Sequence, residues 1–233
     1  MSTDRNLLAR RLFEGISDNY DRPAQLLSLG QYGRWRRCAV DELEVGDGAL
    51  VLDVATGTGL VARDLAARRR ARVIGLDLSF SMLDRGRDSD DIALVCGRAE
   101  QLPFPDASFD GIVFTYLLRY VDDVAATLDE LVRVLRPGGA MASVEFGVPR
   151  HGAAGAGWRI YALHLLPLAA RIISPGWKEV GRFLAPSIMS FDERFPPTVL
   201  ERLWHDAGMR DVRTRPLTFG AGVVTWGTKV SVL

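Results

Sequence analysis

Two glycines and two carboxylates carry the most chemistry in this 233-residue chain. Asp53 closes the apolar run Leu50-Val51-Leu52, Gly57 and Gly59 follow in a tight turn, and Asp77 stands twenty residues past Gly57. Glycines at such a turn let a ligand reach bare backbone, and a helix starting at Leu60 would turn its positive end towards that ligand. A nucleotide-type cofactor fits the arrangement. The pattern Gly57-x-Gly59-x-x-Ala62 with Asp77 as ribose ligand matches the dinucleotide fingerprint, so NAD is one candidate. S-adenosylmethionine is the other, because Asp53 can order the loop and attract a cationic amino-acid end. Groups able to take a proton are fewer: Asp21, and His164 inside a strongly apolar stretch over 158–174.

Alternating elements must position these groups. Strands are expected at 50–54, 72–77, 92–96, 109–115 and 140–146, with helices at 60–69, 79–87 and 122–135 and a turn at Pro137-Gly-Gly. Such alternation builds a parallel sheet covered on both faces, with ligands at the carboxyl ends of its strands. Residues 4–14 read as an amphipathic helix with Leu7, Leu8, Leu12 and Phe13 on one side, and 16–37 as a cover over the site. The second half of that cover reads equally well as a packing helix with Arg34–Arg37 exposed. Residues 151–157 read as a flexible small-residue connector, Pro167 as a kink and 196–207 as a helix with Pro197 near its start, stopped by Gly208. Two closing strands, 211–218 and 222–232, are expected to pair antiparallel. The chain therefore reads as one α/β domain: a helical cover (1–45), a cofactor-binding core (46–149), a lid insertion (150–190), and a final helix and hairpin (191–233). That hairpin and Arg136-Pro-Gly-Gly, which has no role in pyrophosphate binding, favour S-adenosylmethionine over NAD.

Bulk composition narrows the class. The 29 basic and 29 acidic side chains cancel, which disfavours a nucleic-acid partner. The two cysteines, Cys38 and Cys96, have no metal-ligand spacing and suit a reducing cytosol, with Cys96 expected to pack inertly. No secretory leader pattern opens the sequence, and no apolar run reaches the ~20 residues a spanning helix needs. A cytoplasmic protein is expected, and the apolar 158–174 segment could serve a membrane surface or a homodimer interface.

The sequence also resembles the class I methyltransferases, and within them the quinone C-methyltransferases of ubiquinone and menaquinone biosynthesis. The resemblance runs through Tyr20-Asp21, Leu27-Ser-Leu-Gly30 with Trp35-Arg36, the 51–59 turn, Ser81-Met-Leu83 and Ala99-Glu-Gln-Leu-Pro-Phe-Pro-Asp106. It continues through Leu118-Arg119, Arg133-Val-Leu-Arg-Pro-Gly-Gly139, Glu145-Phe146 with Pro149, and 184–188. It implies a seven-stranded Rossmann-like sheet, S-adenosylmethionine as cofactor and a prenylated quinol as acceptor. Carried over by position, Asp53, Thr56, Gly57 and Gly59 form the methionine loop, Asp77 and Leu78 lie by the ribose, and Met82 packs on the adenine. Arg98 and Ala99 flank the adenine edge, and Thr115 lies near the sulfonium. Arg119 and Tyr20, with Asp21, fall beside the reacting ring, while Tyr116, Tyr120 and His164 are the acceptor-side residues. Arginine stays protonated, so Arg119 is expected to hold a water or a developing phenolate. Departures cluster on the acceptor side: Tyr120 replaces an Asn, Gly147 a Ser, and Pro23-Ala24 a stretch carrying an Asn. Arg98 replaces a carboxylate and is expected to turn outward, leaving backbone to read the adenine.

Overall fold

In the computed structural model, residues 4–87 and 92–231 are described. Sheet formation follows the apolar runs. β1 (Leu50–Val54), β2 (Arg72–Asp77), β3 (Ile92–Cys96), β4 (Phe109–Thr115) and β5 (Leu135–Phe146) are parallel. β6 (Met209–Leu217) and β7 (Gly222–Lys229) close the sheet antiparallel, in the order β3-β2-β1-β4-β5-β7-β6. β7 is thus wedged between β5 and β6, an arrangement that a plain dinucleotide-binding half does not have.

Helices cover both faces. α1 (Asp4–Glu14), α2 (Asp21–Leu27) and α3 (Gln31–Glu42) precede the sheet. α4 (Leu60–Arg69), α5 (Phe80–Arg85) and α6 (Val124–Val134) are its crossovers. On one face Leu52, Ile112, Phe114 and Met141 pack with Leu128, Leu131 and Trp204; on the other Val51, Val113 and Val144 pack with Ala39, Val40 and Leu65. α7 (Gly152–Ile160), α8 (Leu166–Ile173) and α9 (Pro175–Arg194) form a helical lid after β5, and α10 (Pro197–Asp206) returns to the sheet.

Several expectations change. Leu7 and Leu8 face outward, and α1 instead buries Asn6, Ala9 and Leu12. The expected turn at Pro137-Gly-Gly lies within a longer strand, because β5 already pairs Leu135 with Phe109 and a bulge absorbs the glycines. The small-residue connector at 151–157 is helical: its alanines favour helix, and Gly155 packs where a Cβ would sit 2.8 Å from the Pro149 carbonyl oxygen. Pro167 marks not a simple kink but the start of α8, preceded by a π turn over Tyr161–Leu165. Without an N–H, Pro167 cannot continue the ordinary ladder, and the wider turn absorbs that break. The helix over 175–194 has no counterpart among the expected elements. Cys96 is exposed rather than packed. Among the described residues no helix is long and apolar enough to cross a membrane.

Candidate active site

The turn after β1 is held by the two carboxylates. Asp53 is fully buried and accepts from the Thr56 hydroxyl at 2.6 Å, and burial pushes its carboxyl up to about 7. Asp77 accepts from the Gly57 and Ser79 backbone N–H groups, each at 2.8 Å. Gly57 has φ +59°, and a Cβ there would lie 3.4 Å from Met82 Cε. Gly59, at φ +79°, starts α4. A side chain on Gly57 would fill the space between turn and Met82, so the turn leaves a cradle for a flat ligand. That is the shape a nucleoside cofactor requires.

Around this cradle one pocket gathers Thr56, Gly57, Asp77, Leu78, Met82, Arg98, Ala99 and Thr115. Asp53 supports the pocket from beneath, through Thr56. Arg98 does not turn outward: it is half-buried and lines the pocket. α1 closes the adjoining end, where Asn6 donates to Glu100 at 2.8 Å. This donor pocket shares Phe13, Tyr20, Tyr32, Tyr116 and Tyr120 with a second, strongly apolar cavity of about 310 Å³.

The second cavity lies between the cover and the lid. Trp35, Phe146, Trp158, Trp177 and Ile188 line it together with the shared tyrosines. Tyr116 stacks on Phe146 with 4.4 Å between ring centroids, and Tyr20 on Trp177 at 5.9 Å. The Tyr20 hydroxyl meets that of Tyr32 at 3.4 Å, and burial raises both phenols well above their ordinary range, so they stay protonated. Tyr116 is held at φ +59°, and its buried hydroxyl has no hydrogen-bond partner. Among the described residues Arg119 is the one charged side chain that lines this cavity.

Arg119 sits in a single helical turn, Leu118–Tyr120, and is buried. Asp123, an acid close by in the sequence, is not its ion-pair partner. Asp123 caps α6 through the Ala126 N–H at 3.0 Å, and Arg119 instead faces Glu145. Glu145 also accepts from the Leu118 N–H at 2.8 Å, and burial, opposed by Arg119, lifts its carboxyl to about 7.

Two candidates leave the acceptor cavity. Asp21 accepts from the Thr58 hydroxyl at 2.9 Å and faces an outer groove. His164 is exposed, because the buried stripe of the lid runs through Ala162, Leu166 and Ala170, on the other side of the turn. Glu145 and Arg36 stand in the sequence reading only as parts of motifs. A lone carboxylate in the apolar strand Ala-Ser-Val-Glu-Phe was a usable signal for the first. Arg36 falls on the same helical stripe as Tyr32, Ala39, Val40 and Leu43, and its buried place was readable from that spacing.

Strand order, glycine cradle and supporting carboxylates together define a class I S-adenosylmethionine-dependent methyltransferase, and the dinucleotide reading falls away. Solved structures agree on the fold. A possible histamine N-methyltransferase from Thermotoga maritima matches with TM-score 0.64 at 21% identity, over 94% of this chain and 98% of that one. A methyltransferase from Methanococcus maripaludis matches with TM-score 0.63 at 19% identity, over 93% of each chain. Residues 2–229 match the model of the ubiE/COQ5 methyltransferase family, and the chain belongs to that family. Curated relatives include the demethylmenaquinone methyltransferase of Mycobacterium sp. strain KMS, 37% identical over 90% of this chain and 88% of that protein. Another is the ubiquinone/menaquinone biosynthesis C-methyltransferase of Geobacter sulfurreducens, 33% identical over 97% and 90%.

Proposed function

We propose that the chain methylates a ring carbon of a prenylated quinol, with a demethylmenaquinol-like acceptor. The observation that carries this reading is the aromatic cavity with one buried cation, Arg119, sharing its wall with the donor pocket. The printed activities of the relatives point to the same acceptor class.

When bound, S-adenosylmethionine supplies an electrophilic methyl group on a cationic sulfur. On the donor side, the turn at Gly57 and Gly59 would receive the methionine portion, with Asp53 and Thr56 keeping its shape. Asp77 would accept from the ribose hydroxyls, Leu78, Met82, Arg98 and Ala99 would hold the base, and Thr115, at the end of β4, would lie on the sulfonium side. On the acceptor side, a ring carbon becomes nucleophilic enough only as its hydroxyl ionises. Arg119 stabilises that developing phenolate or holds the water that takes the proton, and Tyr20, kept protonated, donates a hydrogen bond. Tyr116 and Tyr120 hold the ring against the donor side. The apolar walls exclude water and align the two reactants, which suits a direct displacement with a neutral leaving group. Asp21 and His164 have no part in this scheme.

The rim of the cavity supports a lipid source for the acceptor. Leu29 lines the cavity yet is 69% exposed, and Leu26 (71%) and Ile172 (80%) stand out on α2 and on α8, which packs beside it. This face is proposed to touch a bilayer, as an amphipathic surface does. Flotation with anionic vesicles should carry the wild-type chain but not Leu26→Asp/Ile172→Asp. Self-association through the same face, read by sedimentation, would instead make it a homodimer interface.

Deleting the gene should leave a quinone lighter by one methyl group in lipid extracts, restored by the wild-type chain. An unchanged quinone pool would redirect the enzyme to another phenolic or terpenoid acceptor.

A further inference from the structure

Arg36 is the one strongly charged side chain of α3 that faces inward. It is 8% exposed, and its Nε and Nη1 atoms are buried with no hydrogen-bond partner. Among the described residues it forms no ion pair, and its guanidinium lies 4.3 Å over the ring of Tyr32. An aromatic face compensates a cation only in part, so a buried guanidinium left otherwise unpaired is costly unless an anion reaches it. Arg36 lines the donor pocket in company with Gly57, Thr58 and Leu60, at the start of α4. The nearby protein carboxylates are otherwise engaged: Asp21 by Thr58, Asp53 by Thr56, and Asp77 by two backbone N–H groups.

We propose that Arg36 is the receptor for the carboxylate of the cofactor's amino-acid end. This deepens the donor assignment and rests on it. S-adenosylmethionine carries one anionic group, and the turn at Gly57 and Gly59 receives the end of the molecule that bears it. Its orphaned guanidinium donors are buried at the pocket wall, and a carboxylate is the charge-assisted partner for such a donor. Asp53, beneath the same turn through Thr56 and with its Oδ1 unpartnered, supplies the opposite sign for the neighbouring ammonium. A cation on the pocket wall and a buried carboxylate beneath the turn thus give the two signs that a zwitterion needs.

The test compares S-adenosylmethionine with decarboxylated S-adenosylmethionine, which lacks only that carboxylate, by titration calorimetry. The wild-type chain should bind the carboxylated ligand about 10- to 100-fold more tightly, the range of a charge-assisted hydrogen bond. Arg36→Gln should reduce that ratio to near one while leaving the affinity for the decarboxylated ligand unchanged. Arg36→Lys should recover part of it. A ratio near one in the wild type overturns the inference without any variant. So does a ratio that survives Arg36→Gln, with only the thermal midpoint lowered, which would make Arg36 a packing residue. Failure of the wild type to bind either ligand would instead overturn the donor assignment itself.

Discussion

Arg119 Nε faces Glu145 Oε2 at 3.6 Å, with both side chains out of water and neither of these atoms hydrogen-bonded. The pair is a loose one. Each charge steadies the other, yet Arg119 retains a donor for a third party in the acceptor cavity. Replacing Arg119 by Ala should therefore lower kcat on the order of 10²- to 10³-fold, the cost of losing one charge-stabilising donor. Donor affinity, measured by calorimetry, should barely move. A fully active variant would refute the role.

The Glu145 carboxyl also sets a pH signature. Its pKa is raised to about 7 in the folded chain, chiefly by burial, against 4.5 as the ordinary value. The folded state then binds a proton that the unfolded state has already released, so this group's contribution falls as pH rises from about 4.5 to 7. Chemical denaturation across that window should show a shallower loss of stability in Glu145→Gln than in the wild type. An identical slope would contradict the raised pKa.

Donor binding should depend on pH in the opposite sense. Asp53, also lifted to about 7, is largely neutral below that value in the free enzyme, whereas a nearby ammonium favours its carboxylate. Affinity for S-adenosylmethionine should weaken as pH falls below 7, by up to about tenfold per unit, the slope for one coupled proton. Calorimetry in buffers of different ionisation heat should detect the released proton. Asp53→Asn should abolish the dependence.

Gly222 offers a way to disturb the acceptor alone. A Cβ at this position in β7 would come within 2.8 Å of Trp35 Cδ2, and Trp35 lines the acceptor cavity. Gly222→Ala should tilt that indole and lower kcat/KM for the quinol, with donor affinity preserved. Equal losses on both sides would show a general folding defect instead.

Tyr116 carries a buried hydroxyl with no hydrogen-bond partner. Tyr116→Phe removes that unmet donor and should stabilise the free protein by about 1 kcal/mol, at the low end for an unpaired buried polar group. A rise in acceptor KM alongside the raised Tm would mark the hydroxyl as one that the acceptor satisfies.

How much of this was legible beforehand depends on the range of the signal. The β1 turn, the crossover helices and the closing hairpin rest on local periodicity and glycine punctuation, and all of them formed. Most of the donor-pocket residues were readable because they lie at the carboxyl ends of strands, where topology forces them together. The acceptor side was not. Asp21 and His164 were of the right chemical type, but their placement depends on how a cover and a lid, more than a hundred residues apart in sequence, close on each other. Glu145 became the partner of Arg119 over Asp123 because neighbouring strand ends, rather than sequence proximity, decide that contact. The glycine-rich 151–157 stretch misled because composition reports intrinsic flexibility, whereas packing on Pro149 decided its conformation.

The shared wall of Phe13, Tyr20, Tyr32, Tyr116 and Tyr120 divides the interior into two rooms with separate doors. Exposed Arg10 lies at the margin of one, and exposed Leu29 at the rim of the other. On the proposed assignment, spent cofactor could leave and fresh cofactor arrive through one opening while the acceptor stays in the other, and the enzyme would not be bound to a fixed order of loading.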